Sequence, residues 1–128
     1  MDYIEQDTLL FFKEHPAALP VYEAFARKLA GALPNSNVRV QKTQITFSNR
    51  HVYACVSFLR VKKNAELPDS FFVLTLGLPY ALESERVAVK TEPYPGRWTT
   101  HFVISRLSDL DEELFAWVRQ AYAFAAQK

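Results

Sequence analysis

Apolar and polar residues alternate with period two through Lys42 to Phe58, which marks this stretch as two strands joined by the tight turn Ser48-Asn49-Arg50. Thr43, Ile45 and Phe47 alternate with Lys42, Gln44 and Thr46, and Val52, Ala54, Val56 and Phe58 alternate with His51, Tyr53, Cys55 and Ser57. One face of the hairpin should be covered by helices, leaving Lys42, Gln44 and Tyr53 to project from the other. Upstream, Val38 and Val40 fall on even positions, whereas Ile45 and Phe47 fall on odd ones. A single flat strand cannot bury both sets on one face, so the change of parity predicts a bulge or bend near Gln41-Lys42.

Helical spacing frames this sheet region. Ile4, Thr8, Phe11, Phe12 and His15 recur at three-to-four intervals and predict a helix over Asp2 to His15, stopped by Pro16. A second helix is expected from Pro20, with Val21, Phe25, Leu29 and Ala32 as its stripe, ending near Gly31 to Pro34. After a charged loop from Lys62 to Asp69, the run Phe71 to Leu76 reads as a strand buried on both sides. Gly77 and Pro79 punctuate a loop to Glu85, Arg86 to Lys90 alternates again, and Trp98 to Arg106 forms the last strand after a break at Glu92 to Gly96. Ser108 should open the final helix, with Asp111 three residues on in the manner of a capping box and acids crowding the first turn. Its stripe is Leu110, Leu114, Trp117, Val118, Ala121, Tyr122 and Ala125. Short connections between successive strands predict one compact α+β domain over residues 1–128. It has two N-terminal helices, a mainly antiparallel sheet of about five strands, and a long C-terminal helix packed on one face.

Composition narrows the function classes. The chain has 128 residues, enough to bury a core without a disulfide or metal. Its net charge of +1 creates no global field for nucleic acid or anionic lipid. The single Cys55 excludes an internal disulfide and suits a reducing compartment. No apolar run reaches the roughly 18–20 residues of a spanning helix, and the opening MDYIEQD is acidic where a secretory signal would be basic. The expectation is a cytoplasmic protein with no membrane partner.

Two segments resemble a known family. Lys42 to Val56 (KTQITFSNRHVYACV) and Arg97 to Ser105 (RWTTHFVIS), followed by Leu110 to Tyr122, are similar to an uncharacterised bacterial domain of unknown function, sometimes labelled a predicted transport protein. The resemblance spans Leu9 to Ala125 and rests on Lys42-Thr43, Phe47, Tyr53, the Trp98…His101 strand and Ala121-Tyr122. It implies no activity, ligand or catalytic residue.

The candidate ligand site is the polar sheet face: Lys42, Gln44 and Tyr53, joined by Thr99 and His101, with Arg86 and Lys90 from the neighbouring strand. Arg97 and Trp98 suggest a cation–π lip. Such a surface suits a small anionic or planar molecule, although a solvated sheet face with an edge-guarding lysine has the same composition. His101 has the titration range of a general base, but no carboxylate or nucleophile stands at a recognisable spacing. His51 and Cys55 lie too far apart along a strand to ligate one ion, at roughly 13 Å, and His15 completes no ligand motif, so no metal or other cofactor is expected. The acids from Asp109 to Glu113 are explained by their place at a helix start. Val52 to Phe58 echoes an RNA-recognition strand but lacks its glycine, and Cys55 replaces its second stacking aromatic.

The leading reading is a non-enzymatic binding or interaction domain for a small anionic or aromatic ligand, or for a protein partner, with a homodimer left open. A small enzyme with acid/base groups at His101 and Lys42 or Tyr53 is the alternative. Weak nucleic-acid binding through Arg60, Lys62, Lys63, Arg86 and Lys90 comes last.

Overall fold

A computed structural model of the protein describes residues 6–62 and 67–127. Helix α1 (Gln6–Phe11) leads through a 3-10 turn at Pro16–Ala18 into α2 (Leu19–Ala32). The strands are β1 (Asn37–Val40), β2 (Gln44–Ser48), β3 (Val52–Ser57), β4 (Phe72–Leu78), β5 (Val87–Tyr94) and β6 (Arg97–Ile104). A 3-10 turn at Leu107–Asp109 precedes α3 (Glu112–Ala126). The expected helix from Asp2 is seen from Gln6 onward, and its Ile4 lies outside the described residues, as does Lys63.

All six strands form one antiparallel sheet in the order β1-β2-β3-β4-β6-β5. The fold is the expected α+β arrangement, with one strand more than the alternation suggested. That strand arises at Gln41–Thr43, where the parity change proves to be a reversal of the chain rather than a bulge. Val40 pairs with Ile45, and the Gln41 N–H donates to the Gln44 carbonyl at 2.8 Å. A second turn at Pro95-Gly96, where Gly96 adopts φ +84°, carries β5 further than the Pro-rich break implied. Among the described residues, no helix is long and apolar enough to cross a membrane.

Alternation puts Ile45, Val56, Leu74 and Phe102 in one row across β2, β3, β4 and β6, all buried beneath α2 and α3. Phe25 from α2 meets Phe47, Phe72 and Phe115 at centroid distances of 5.6–6.1 Å, so one ring ties both helices to the sheet. The predicted α3 stripe is buried, with Tyr122 half-buried at its end. β4 is covered on both faces: even Val73, on the side away from the helices, is fully buried.

Three expectations are corrected here. Ser108 does not open α3; the cap is Asp111, whose carboxylate accepts the Leu114 N–H at 3.0 Å. Arg86 and Lys90 do not join the polar face. The Arg86 guanidinium binds Asp111 at 2.8 Å, Glu113 at 3.1 Å and the Asp109 carbonyl at 2.7 Å, while Lys90 binds Glu83 at 2.6 Å and the Leu82 carbonyl. Tyr53 does not project from the polar face either. The register shifts opposite Phe47/Ser48, and this bulge turns the consecutive residues Tyr53 and Ala54 both inward. The Tyr53 ring then lies 5.1 Å from that of Tyr122, and its hydroxyl is 2.6 Å from Ser36 Oγ. Burial pushes its phenol upward in pKa, only partly opposed by the Ser36 hydrogen bond.

The Asp111 cap carries a test. The hydrogen bond from Arg86, and then that from Leu114, hold its carboxyl below the ordinary carboxylate value. A depressed folded-state pKa contributes stability above the unfolded-state value, and that contribution fades as pH falls through the folded-state one. Asp111→Ala should therefore cost about 1 kcal/mol near pH 7, an exposed cap being worth that much. Urea titrations should show the gap from wild type closing in acid; an equal gap at pH 7 and pH 3 would contradict the role.

Candidate functional site

The sheet face turned away from α2 and α3 carries the chemistry. Thr46, Cys55, Thr75 and His101 form a straight cross-strand row over β2, β3, β4 and β6. At the end where β2 begins, Cys55, Thr75 and His101 of this row floor a cleft of about 520 Å³. Its walls are Phe11, Phe58 and Leu59 on the apolar side, with Lys42, Thr43 and Gln44 at the mouth and Ser57 beside the floor. Among the described residues, no aspartate or glutamate lines it.

The apolar wall is held from behind. Phe58 follows directly on β3 and stacks with two rings: Phe11 at 5.2 Å and 24°, and His15 at 3.8 Å and 21°. Phe12 closes edge-on against both Phe11 and Phe58, and Phe12 is itself buried. His15, read as the last position of a helix stripe, is thus a packing element behind the wall.

On the floor, His101 Nδ1 lies 2.8 Å from Thr75 Oγ1. Burial holds the imidazole below its ordinary pKa, so it is mainly neutral at pH 7. On the other side of Thr75, burial pushes the Cys55 thiol up, against the opposing influence of its hydrogen bond with Thr75 and the charge of Arg97. A thiol raised in this way is a weak nucleophile. Cys55 and His101 also stand two strands apart, at a backbone separation of roughly 10 Å, so they make no direct thiol–imidazole pair. The floor is a surface of hydrogen-bonding groups rather than an assembled nucleophile and base.

Arg97 extends the same face. Adjacent β6 residues alternate, so Arg97 shares the face of Thr99 and His101, and Trp98 belongs to the opposite one beside buried Leu78. A joint cation–π lip is therefore ruled out by strand geometry. The Arg97 guanidinium lies flat over Gly77, where an added Cβ would come within 2.8 Å of its nitrogens. Four lysines and arginines among the described residues are half-buried: Lys28, Arg86, Lys90 and Arg97. The first three have carboxylate partners, and Arg97 has none among the described residues.

The structure thus brings Lys42, Gln44 and His101 together at one cleft and sets Arg97 close by. It sends Tyr53 and Trp98 to the other face, and engages Arg86 and Lys90 in ion pairs with carboxylates. Cys55, Thr75, Phe11, Phe58 and Leu59 line the cleft without belonging to the ligand site expected from the sequence. Only the polar set of the β3 alternation pointed to one of them, Cys55. His51 lies away from the cleft, its Nδ1 3.2 Å from the Ala125 carbonyl at the end of α3. Among the described residues no group of three or more His, Cys, Asp or Glu side chains could hold a metal ion.

No curated protein and no solved structure matches the chain. A family model does match, over residues 10–125, and by it the chain belongs to the family described as Domain of unknown function (DUF5655).

Proposed function

We propose that this protein is a non-enzymatic, cytoplasmic binding module that holds a small anionic ligand in the cleft beside β3, β4 and β6. The observation that carries this reading is the make-up of the lining: an aromatic wall, a hydrogen-bonding floor, a lysine at the mouth, and no carboxylate among the described residues. Such a mixture of apolar surface with a few convergent polar groups is the usual composition of a small-molecule site. Anions gain from the exposed Lys42 ammonium, and the preformed wall limits the ordering cost of binding. The weak nucleophile at Cys55, two strands away from His101, favours holding a ligand over transforming it.

The test is thermal unfolding of the purified protein against a panel of anionic metabolites. A ligand at 100 times its Kd should add about 2.7 kcal/mol, a shift on the order of 10 °C for a chain of this length. Lys42→Glu should weaken the same ligand at least tenfold in titration calorimetry, with the unliganded midpoint unchanged because Lys42 is exposed. Equal affinity in that variant would take Lys42 out of the site, and a panel without a shift would refute a tight small anion.

A further inference from the structure

We infer that the ligand is a planar aromatic monocarboxylate, its carboxylate gripped by the Arg97 fork and its ring set against the Phe11–Phe58 wall; this rests on the cleft being a binding site.

Arg97 is the half-buried cation without a carboxylate partner among the described residues. A partly desolvated charge is unfavourable unless it is matched, and an incoming carboxylate would match it. The position of the guanidinium is prepared. Gly77 removes the one Cβ that would push it off the sheet, and a planar guanidinium lying flat presents its N–H groups sideways in the pattern a carboxylate accepts. Gly77 stands two residues from Thr75 on the same face of β4, roughly 7 Å along the strand, so the fork lies just beyond the Cys55–Thr75 floor, next to the cleft's own lining.

The opposite end selects the body of the ligand. Phe58 stacks with both Phe11 and His15 and meets Phe12 at 89°, so the apolar wall of the cleft belongs to a cluster of aromatic rings. Aromatic rings prefer offset-stacked or edge-to-face partners, such a pair being worth about 0.5–1.5 kcal/mol beyond the area buried. The floor is built of the short side chains Cys55 and Thr75 with Ser57 beside them, which suits a planar body better than a bulky saturated one. Lys42 stands at the mouth, where it attracts the acid without fixing its orientation.

Four probes decide it in titration calorimetry: 2-naphthoate, 2-naphthamide, cyclohexanecarboxylate and inorganic phosphate. The expected result is binding of 2-naphthoate at least tenfold tighter than the other three, with at least a tenfold loss in both Arg97→Ala and Gly77→Ala. Gly77→Ala keeps the test independent of folding. Only the far end of the Arg97 side chain has to give way, so its thermal midpoint should equal or exceed the wild-type value. Equal binding of cyclohexanecarboxylate or phosphate would overturn the aromatic preference while leaving the small-anion reading intact. Unchanged naphthoate affinity in Arg97→Ala and Gly77→Ala would overturn the fork. Failure of all four probes would overturn this inference, whereas the small-anion reading would stand or fall on the metabolite panel.

Discussion

Phe25→Ala should lower the unfolding free energy by about 3–5 kcal/mol, the range for truncating a buried phenylalanine. Phe25 is fully buried, and it contacts both layers of the domain: Phe47 and Phe72 from the sheet and Phe115 from α3. Truncation removes the apolar surface and also leaves a cavity at the junction of α2, α3 and the sheet. Those rings are anchored on different elements, so they cannot all move in to fill it. Against a total stability of about 5–15 kcal/mol for a domain, such a loss would leave the variant marginal at 37 °C. Urea denaturation should show a lower midpoint at unchanged slope, and Phe25→Leu should recover more than half of the loss. A cost below about 1 kcal/mol, well outside the range for such truncations, would mean that α2 is not held to the sheet through this ring.

Phe25 also shows what could be read from the sequence. Its place on a three-to-four stripe was plain, as was the α3 stripe, because helical burial repeats at a local period. The two faces of β2 were equally legible, with Ile45 and Phe47 buried and Gln44 on the other side. Side-by-side neighbours across the sheet were not. Cys55, Thr75 and His101 meet because β6 inserts between β4 and β5, a choice of strand order that no local period encodes. Tyr53 was misplaced because one extra residue in β3 breaks the alternation on which its position depended. The same alternation places Phe58 on the covered face, but β3 ends at Ser57 and the chain then swings the ring over to Phe11 and His15. Gly77 looked like loop punctuation. It is instead an interior strand residue whose missing side chain makes room for Arg97, a long-range reason invisible in its neighbours. The site is therefore less legible than the fold: it depends on register and on absent atoms, whereas the core depends on periodicity.

Thr100→Val should stabilise the protein by about 1–2 kcal/mol, the reverse of most core substitutions. Thr100 is fully buried on the helix-covered face of β6, where it pairs with Leu76 of β4 and Lys90 of β5. Its hydroxyl has no hydrogen-bond partner among the described residues. A buried hydroxyl that has left water without a replacement bond carries its full desolvation cost. Valine has nearly the same shape, keeps the β-branch that suits a strand, and replaces the orphaned oxygen with a methyl group that its apolar surroundings accept. Thr100→Ser separates the two contributions: it keeps the polar group and loses the methyl, so it should fall below wild type. Thermal and urea unfolding of the three proteins should rank them valine, threonine, serine. If valine proves less stable than threonine, the hydroxyl is satisfied in solution, and the β4–β6 core at this level must admit an ordered water.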